Sequence, residues 1–231
     1  FNAAVKKAAE EALKAQGCDV VVSDLYAMKF KATATEDDVT GESNPEHFVM
    51  GRTMTAWQEG RLSPDISFRI LLMNIFSQFP MYWFTMPAIM KGWIDRVLTK
   101  GLPSALRNPT VEGIFKNKKA MLSFTTSSHE TMFSASGING DINVTLWPIQ
   151  NGILHFCGFQ VLPPQIFWAP AYVPQEARAS MLETWTGRLQ GLLNEAPFFL
   201  HLKHSGSPYG LTVGHHLGKP LPPNSQMKAG V

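Results

Sequence analysis

The stretch from Gln78 to Val97 holds the residues best placed to do chemistry. Pro80-Met81-Tyr82-Trp83-Phe84 reads as an aromatic loop stiffened by a proline. Pro87 then opens a helix at a position where a missing N–H costs nothing. Ala88, Ile89, Trp93 and Val97 follow at helical spacing, with Lys91 and Asp95 four residues apart. Flat rings on a loop just before a helix N-terminus could support a flat, ring-shaped ligand, and the helix end favours nearby anions. A buried aromatic turn is the plainer alternative, and composition alone favours it. A second candidate is the hydroxyl-rich run Thr125-Thr126-Ser127-Ser128, which follows a strand and could hold polar ligand groups. Loops at the carboxyl ends of strands line the ligand crevice in open α/β sheets.

Other potential chemistry is sparse. Cys18 and Cys157 suggest neither a disulfide framework nor a metal cluster, which points to a reducing compartment. Adjacent side chains of His215-His216 point apart, so docking or dimer contacts are favoured over metal. His155, in the apolar run Ile153 to Phe156, reads as a satisfied core histidine. There is no Walker loop, no G-x-G-x-x-G and no Ser/His/acid constellation. The net charge of +2, with scattered Lys and Arg, argues against a nucleic-acid binder. Lys116, Lys118 and Lys119 read as a solvated turn. No signal peptide and no membrane-spanning run is apparent. With 231 residues, 45% hydrophobic and only 16% charged, the chain has the makings of a large core and of some surface covered by a partner.

The elements that must position these residues read as an α/β fold with a parallel sheet. Phe1 to Gln16 is amphipathic, with Val5, Ala8, Ala9, Ala12 and Leu13 on one face, and Gly17 ends it. Cys18 to Asp24 reads as a short strand, and no strand precedes the first helix. Leu25 to Met50 is a long irregular connection. Thr53 to Gly60 carries a turn or two of helix. Ser67 to Ser77 is a nearly continuous apolar run, strand or helix. Lys119 to Thr125 is a strand, Ile142 to Phe156 a helix despite Pro148, and Phe159 to Trp168 a last strand continuing past Pro163 and Pro164. Pro174 to Asn194 is a helix with Ala177, Met181, Trp185, Leu189 and Leu192 on one face. Gly- and Pro-rich composition from Pro197 onward marks an irregular appendage. The expected division is residues 1–196 as the main domain and 197–231 as a C-terminal extension.

Several long runs together resemble the vertebrate NAD(P)H:quinone oxidoreductase (DT-diaphorase) family of flavodoxin-like FAD enzymes. They are Ser23 to Met28, Gln78-Phe79-Pro80 with Trp83-Phe84, Pro87 to Trp93, Leu146 to Gln150, and Gly152 to Leu162. The tail Val213 to Lys219 is similar to the extension of type 1 members. The resemblance implies a doubly wound parallel sheet and a cytoplasmic homodimer with sites at the subunit interface. It further implies ping-pong hydride transfer from NADH or NADPH through FAD to a quinone. Met81, Tyr82, Trp83 and Phe84 would flank the flavin, with Thr125, Thr126, Ser127 and Ser128 as its contacting turn. Phe1 and Asn2 would end the pyrophosphate turn, and Arg178 would lie near the adenosine. Phe156, Ser104, Ala105 and Leu106 would face the substrate. Phe133 and Asn139 occupy the catalytic positions where the family has a Tyr and a His.

The chain also departs from the family pattern. The opening strand is not seen, the Ser67 to Ser77 run does not match the family's helix-plus-strand, and one or two strands are expected to be missing or altered. The Thr-Thr-Gly-Gly turn carries two serines. Phe133 cannot donate a hydrogen bond, although Asn139 can. These departures keep open an alternative, a catalytically weak or inactive relative that acts as a dimerising or partner-binding protein.

Overall fold

The computed structural model describes residues 1–38, 74–98, 115, 117–134 and 136–197, with the backbone of 215–216 and 219–220. The elements are α1 (Asn2–Ala15), β1 (Ile75–Pro80), α2 (Ala88–Val97), β2 (Lys119–Thr126), α3 (Ile142–Ile149), β3 (Gln160–Val161), β4 (Gln165–Trp168) and α4 (Gln175–Gly191). A two-residue pair, β5 (His215–His216) with β6 (Lys219–Pro220), is antiparallel. β2 is the centre of the main sheet: β1 runs parallel along one side, and β3 and then β4 run parallel along the other. No helix among the described residues is long and apolar enough to cross a membrane.

Strand alternation sends side chains to two faces, and each face has its own core. Phe79, Leu122, Phe124 and Ile166 pack with α2 and α3 residues such as Trp93, Val97, Leu146 and Ile149. Phe76, Met121 and Phe167 pack with Val5 and Leu13 of α1 and Trp185 and Leu189 of α4. Trp185 also donates its indole N–H to the Val5 carbonyl at 3.2 Å, tying α4 to α1. β2 is covered on both faces, which explains why all but its first residue are buried.

Local signals behave as read at several ends. Gly17 adopts φ 80°, and the Gly17 and Cys18 N–H groups bond the Lys14 and Leu13 carbonyls, a Schellman closure of α1. Pro87 caps α2 just outside its first turn. Asp141 caps α3 by accepting the Asn143 N–H at 2.9 Å. Lys91 and Asp95 pair at 2.7 Å.

Five expectations need correction. Cys18 to Asp24 is not a strand: it forms no ladder with any described segment, and Val21 and Val22 are exposed. A strand does exist at the end of the apolar run, Ile75–Pro80, where the sequence left one doubtful. It takes in Pro80, which the sequence places in the aromatic loop, and is mostly half-buried; the run before residue 74 lies outside the described residues, as does the expected helix at 53–60. The Phe159 to Trp168 strand is split. Lys119 pairs with Gln160 but Ser123 with Gln165, so one extra residue bulges out at Pro163-Pro164, which have no N–H to give the ladder. His155 is exposed, not a core histidine, because α3 passes into a π-helix at Gln150–His155 that rotates the last turn. Lys119 is half-buried, its ammonium capping the Leu193 and Glu195 carbonyls at 2.7 Å.

Candidate functional site

The carboxyl ends of β1, β2 and β4 lie side by side, and the loops leaving them form a crevice edge. The Met81 N–H donates to the Thr125 carbonyl at 2.8 Å, extending the β1–β2 ladder by one rung. The Ala169 N–H does the same on the other side, to the Thr126 carbonyl at 2.9 Å.

The aromatic loop is a tight turn. Tyr82 and Thr85 exchange backbone hydrogen bonds of 2.9 and 3.0 Å, and the two residues between them have φ of 46° (Trp83) and 61° (Phe84). Two consecutive positive φ values are the mark of a type I′ turn, which normally recruits Gly or Asn. Placing bulky rings there costs of order 1–3 kcal/mol each. The rings are not repaid by burial: Trp83 is 92% exposed, and Tyr82 and Phe84 are about half exposed. The buried-turn alternative therefore fails.

Phe84 leans edge-on against Phe133, with centroids 5.9 Å apart. Phe133 is 5% exposed and tilts over Trp168 at 5.6 Å. This wall of rings stands on the α2/α3 face of the sheet. The opposite face carries a polar cluster. Asn2 donates through Nδ2 to Thr125 Oγ1 at 3.1 Å and accepts from Gln78 Nε2 at 2.8 Å. Gln78 in turn accepts from the Ser123 hydroxyl. Asn2 thereby places the N-terminus of α1 beside the end of β2. That helix start has no acidic residue and no side-chain cap, so its partial positive charge remains available to an anion.

The other candidates have plain positions. Phe1 packs edge-on against Phe167 at 5.4 Å. Met81 is half-buried against the core. Thr126 accepts the Ser128 N–H at 3.0 Å, while Ser127 is exposed. Neither serine has a positive φ, so this turn does not demand glycine. Asn139 gives its backbone N–H to the Met132 carbonyl at 2.8 Å, which folds the 134–141 loop back toward Phe133. Arg178 is engaged by the Val173 carbonyl at 2.8 Å and the Pro170 carbonyl at 3.4 Å. Phe156 is exposed at the end of the π-helix and makes no ring contact with the aromatic wall. Ser104, Ala105 and Leu106 lie outside the described residues. The structure thus joins Phe84 with Phe133 and Asn2 with Thr125, and it leaves Phe156 and Arg178 apart from both. Trp168 and Gln78 were not singled out as site residues, because their roles depend on pairings across strands. No group of three or more His, Cys, Asp or Glu that could hold a metal is found among the described residues.

A family described as having a flavodoxin-like fold matches residues 1–189. NAD(P)H dehydrogenase [quinone] 1 of Cavia porcellus is 42% identical over 255 aligned positions, covering 99% of this chain and 93% of that protein. The chain belongs to this flavodoxin-like quinone dehydrogenase family. The human ribosyldihydronicotinamide dehydrogenase [quinone] is 45% identical over 204 positions, covering 85% of this chain and 88% of the relative. A candidate quinone reductase of Klebsiella pneumoniae, solved by crystallography, superposes with a TM-score of 0.79 at 34% identity, covering 88% of this chain and 84% of that one. Family membership agrees with the parallel sheet and its crevice at the carboxyl ends of the strands. The aromatic turn and the α1 N-terminus suit the two parts of a flavin nucleotide: the exposed rings offer a face for a flat ring system, and the uncapped helix start attracts a phosphate.

Proposed function

We propose that this chain is a flavin-dependent quinone reductase that uses NADH or NADPH, with FAD as its flavin and a homodimer as its working form. The observation that carries this reading is the strained turn at Trp83 and Phe84, which holds an almost fully exposed indole and a half-exposed phenyl ring at the strand ends. When bound, the flavin supplies the hydride chemistry, and the protein supplies binding, orientation and charge stabilisation. Met81 to Phe84 form the platform for the ring system, and Phe133 and Trp168 back it.

The Thr125 to Ser128 turn offers hydroxyls and backbone N–H groups to the polar edge of that ring system. Thr125 is already oriented by Asn2. The α1 N-terminus takes the phosphates, and Arg178, held by two carbonyls, stands toward the adenosine end. Phe156 and the 104–106 segment serve the quinone, which requires a second subunit to bring Phe156 to the aromatic wall. Phe133 can offer no proton or hydrogen bond at its position. The Asn139 amide is the donor there. Losing one preorganised donor costs about 10²-fold or more in rate, so turnover below that of relatives with two donors is expected. The alternative, a relative whose role is only to dimerise or bind a partner, is not favoured, given similarity along nearly the whole chain to named dehydrogenases.

The test is visible absorbance after gel filtration, with and without added FAD, followed by quinone-dependent NAD(P)H oxidation. About one FAD per chain at dimer size, with turnover, is the expected result. A folded protein that takes up no flavin would overturn the reading.

A further inference from the structure

Trp168 is the last residue of β4, paired in register with Thr126 of β2. Strand alternation puts it on the same face as Phe124 and Ile166, toward α2 and α3. Its direction is held from both sides. The Ala169 N–H closes the ladder on the Thr126 carbonyl, and Ala169, fully buried, adopts φ 47°, an unusual value for a residue with a Cβ.

The indole lies 5.6 Å from Phe133 at a 34° tilt. Phe133 ends a short 3₁₀ turn (Glu130–Phe133) and presents its ring to Phe84. Phe84 is half exposed on a strained turn, with the Tyr82–Thr85 bridge across its base and the Phe133 ring against its side. A change of size at residue 168 therefore reaches Phe84 through Phe133.

We propose that Trp168 is a positioning residue of the ring-binding site. It acts through Phe133 to set the pose of Phe84 and hence the fit of the ligand's ring system. The inference rests on the flavin-binding reading. It assigns to a β4 residue control over a loop that leaves β1, two strands away across the sheet.

The test compares Trp168→Phe, which keeps a ring, with Trp168→Leu, which keeps apolar volume but no ring. Leu189→Ala, in the core on the opposite face, controls for general destabilisation. FAD affinity of flavin-stripped protein is read from quenching of flavin fluorescence, and near-UV circular dichroism reports the ring packing. Loss of the ordered Trp168–Phe133–Phe84 series is expected to weaken FAD binding about tenfold in Trp168→Leu, which is about 1.4 kcal/mol. Trp168→Phe, which keeps a ring against Phe133, is expected to stay within about threefold of wild type. Leu189→Ala should leave FAD affinity unchanged. Equal affinity in wild type and folded Trp168→Leu, or an equal loss in Leu189→Ala, would overturn the proposal while leaving the flavin reading intact. A wild type that takes up no FAD would sink both.

Discussion

Arg96, near the end of α2, clasps Asp38 across the loop that follows α1. Its Nε and Nη2 reach the Asp38 carboxylate at 3.0 and 2.6 Å, and its Nη1 reaches the Lys31 carbonyl at 2.6 Å. The guanidinium sits 4.8 Å over the Phe30 ring. Both side chains are nearly dry, 9% and 6% exposed. One turn earlier, Gly92 lets the same loop approach so closely that a Cβ there would meet the Ala32 carbonyl oxygen at 2.1 Å. Arg96→Ala would strand a buried carboxylate whose remaining described partner is the Thr35 N–H. Removing one member of a buried pair costs about 3–5 kcal/mol. For a chain of this size each kcal/mol lowers Tm by roughly 2–4 °C, so a drop of roughly 6–20 °C is expected. Urea unfolding followed by circular dichroism measures the loss. The double variant Arg96→Met, Asp38→Leu should recover most of it, because apolar replacement removes the desolvation cost of both charges. A loss below about 1 kcal/mol in Arg96→Ala, the level of an exposed surface pair, would refute the reasoning.

Three further outcomes are expected. Trp83→Gly should leave stability unchanged or raise it by about 1 kcal/mol, because glycine accepts the positive φ and the exposed indole loses no burial. The same variant should bind FAD more weakly in a fluorescence titration, and a clear loss of stability would count against the strain. Gln150 is 1% exposed, and neither amide atom has a hydrogen-bond partner among the described residues. Gln150→Leu should therefore stabilise the protein by about 1–3 kcal/mol in the same urea assay, since an unsatisfied buried amide costs that much. Burial pushes the Cys157 thiol up to about 11, so it stays protonated at pH 8. It should resist alkylation by iodoacetamide until urea unfolds the chain, as mass spectrometry of the labelled peptides would show.

Elements whose cause is local are legible from residue order alone. The apolar stripe of α1, its glycine stop and the proline before α2 are signals carried within a few residues, and so is the face of α4 formed by Trp185 and Leu189. The aromatic loop and the hydroxyl turn were also legible, since proline, rings and hydroxyls in a short run already say what they could touch. Long runs of family-like sequence carried the fold class further than periodicity did.

The tertiary structure decided what depends on a neighbour far along the chain. Cys18 to Asp24 has strand composition yet no partner strand among the described residues: a ladder is a property of two segments and β-propensity belongs to one. The bulge at Pro163-Pro164 shows only against β2, and the π-turn that exposes His155 shows only in the backbone path after Pro148. The site itself is non-local: Asn2 meets Thr125, 123 residues away, and Trp168 meets Phe133 only because β4 lies beside β2. Residue types announce a possible contact. Whether two of them meet is set by packing, where burial and strain over the whole domain choose one arrangement.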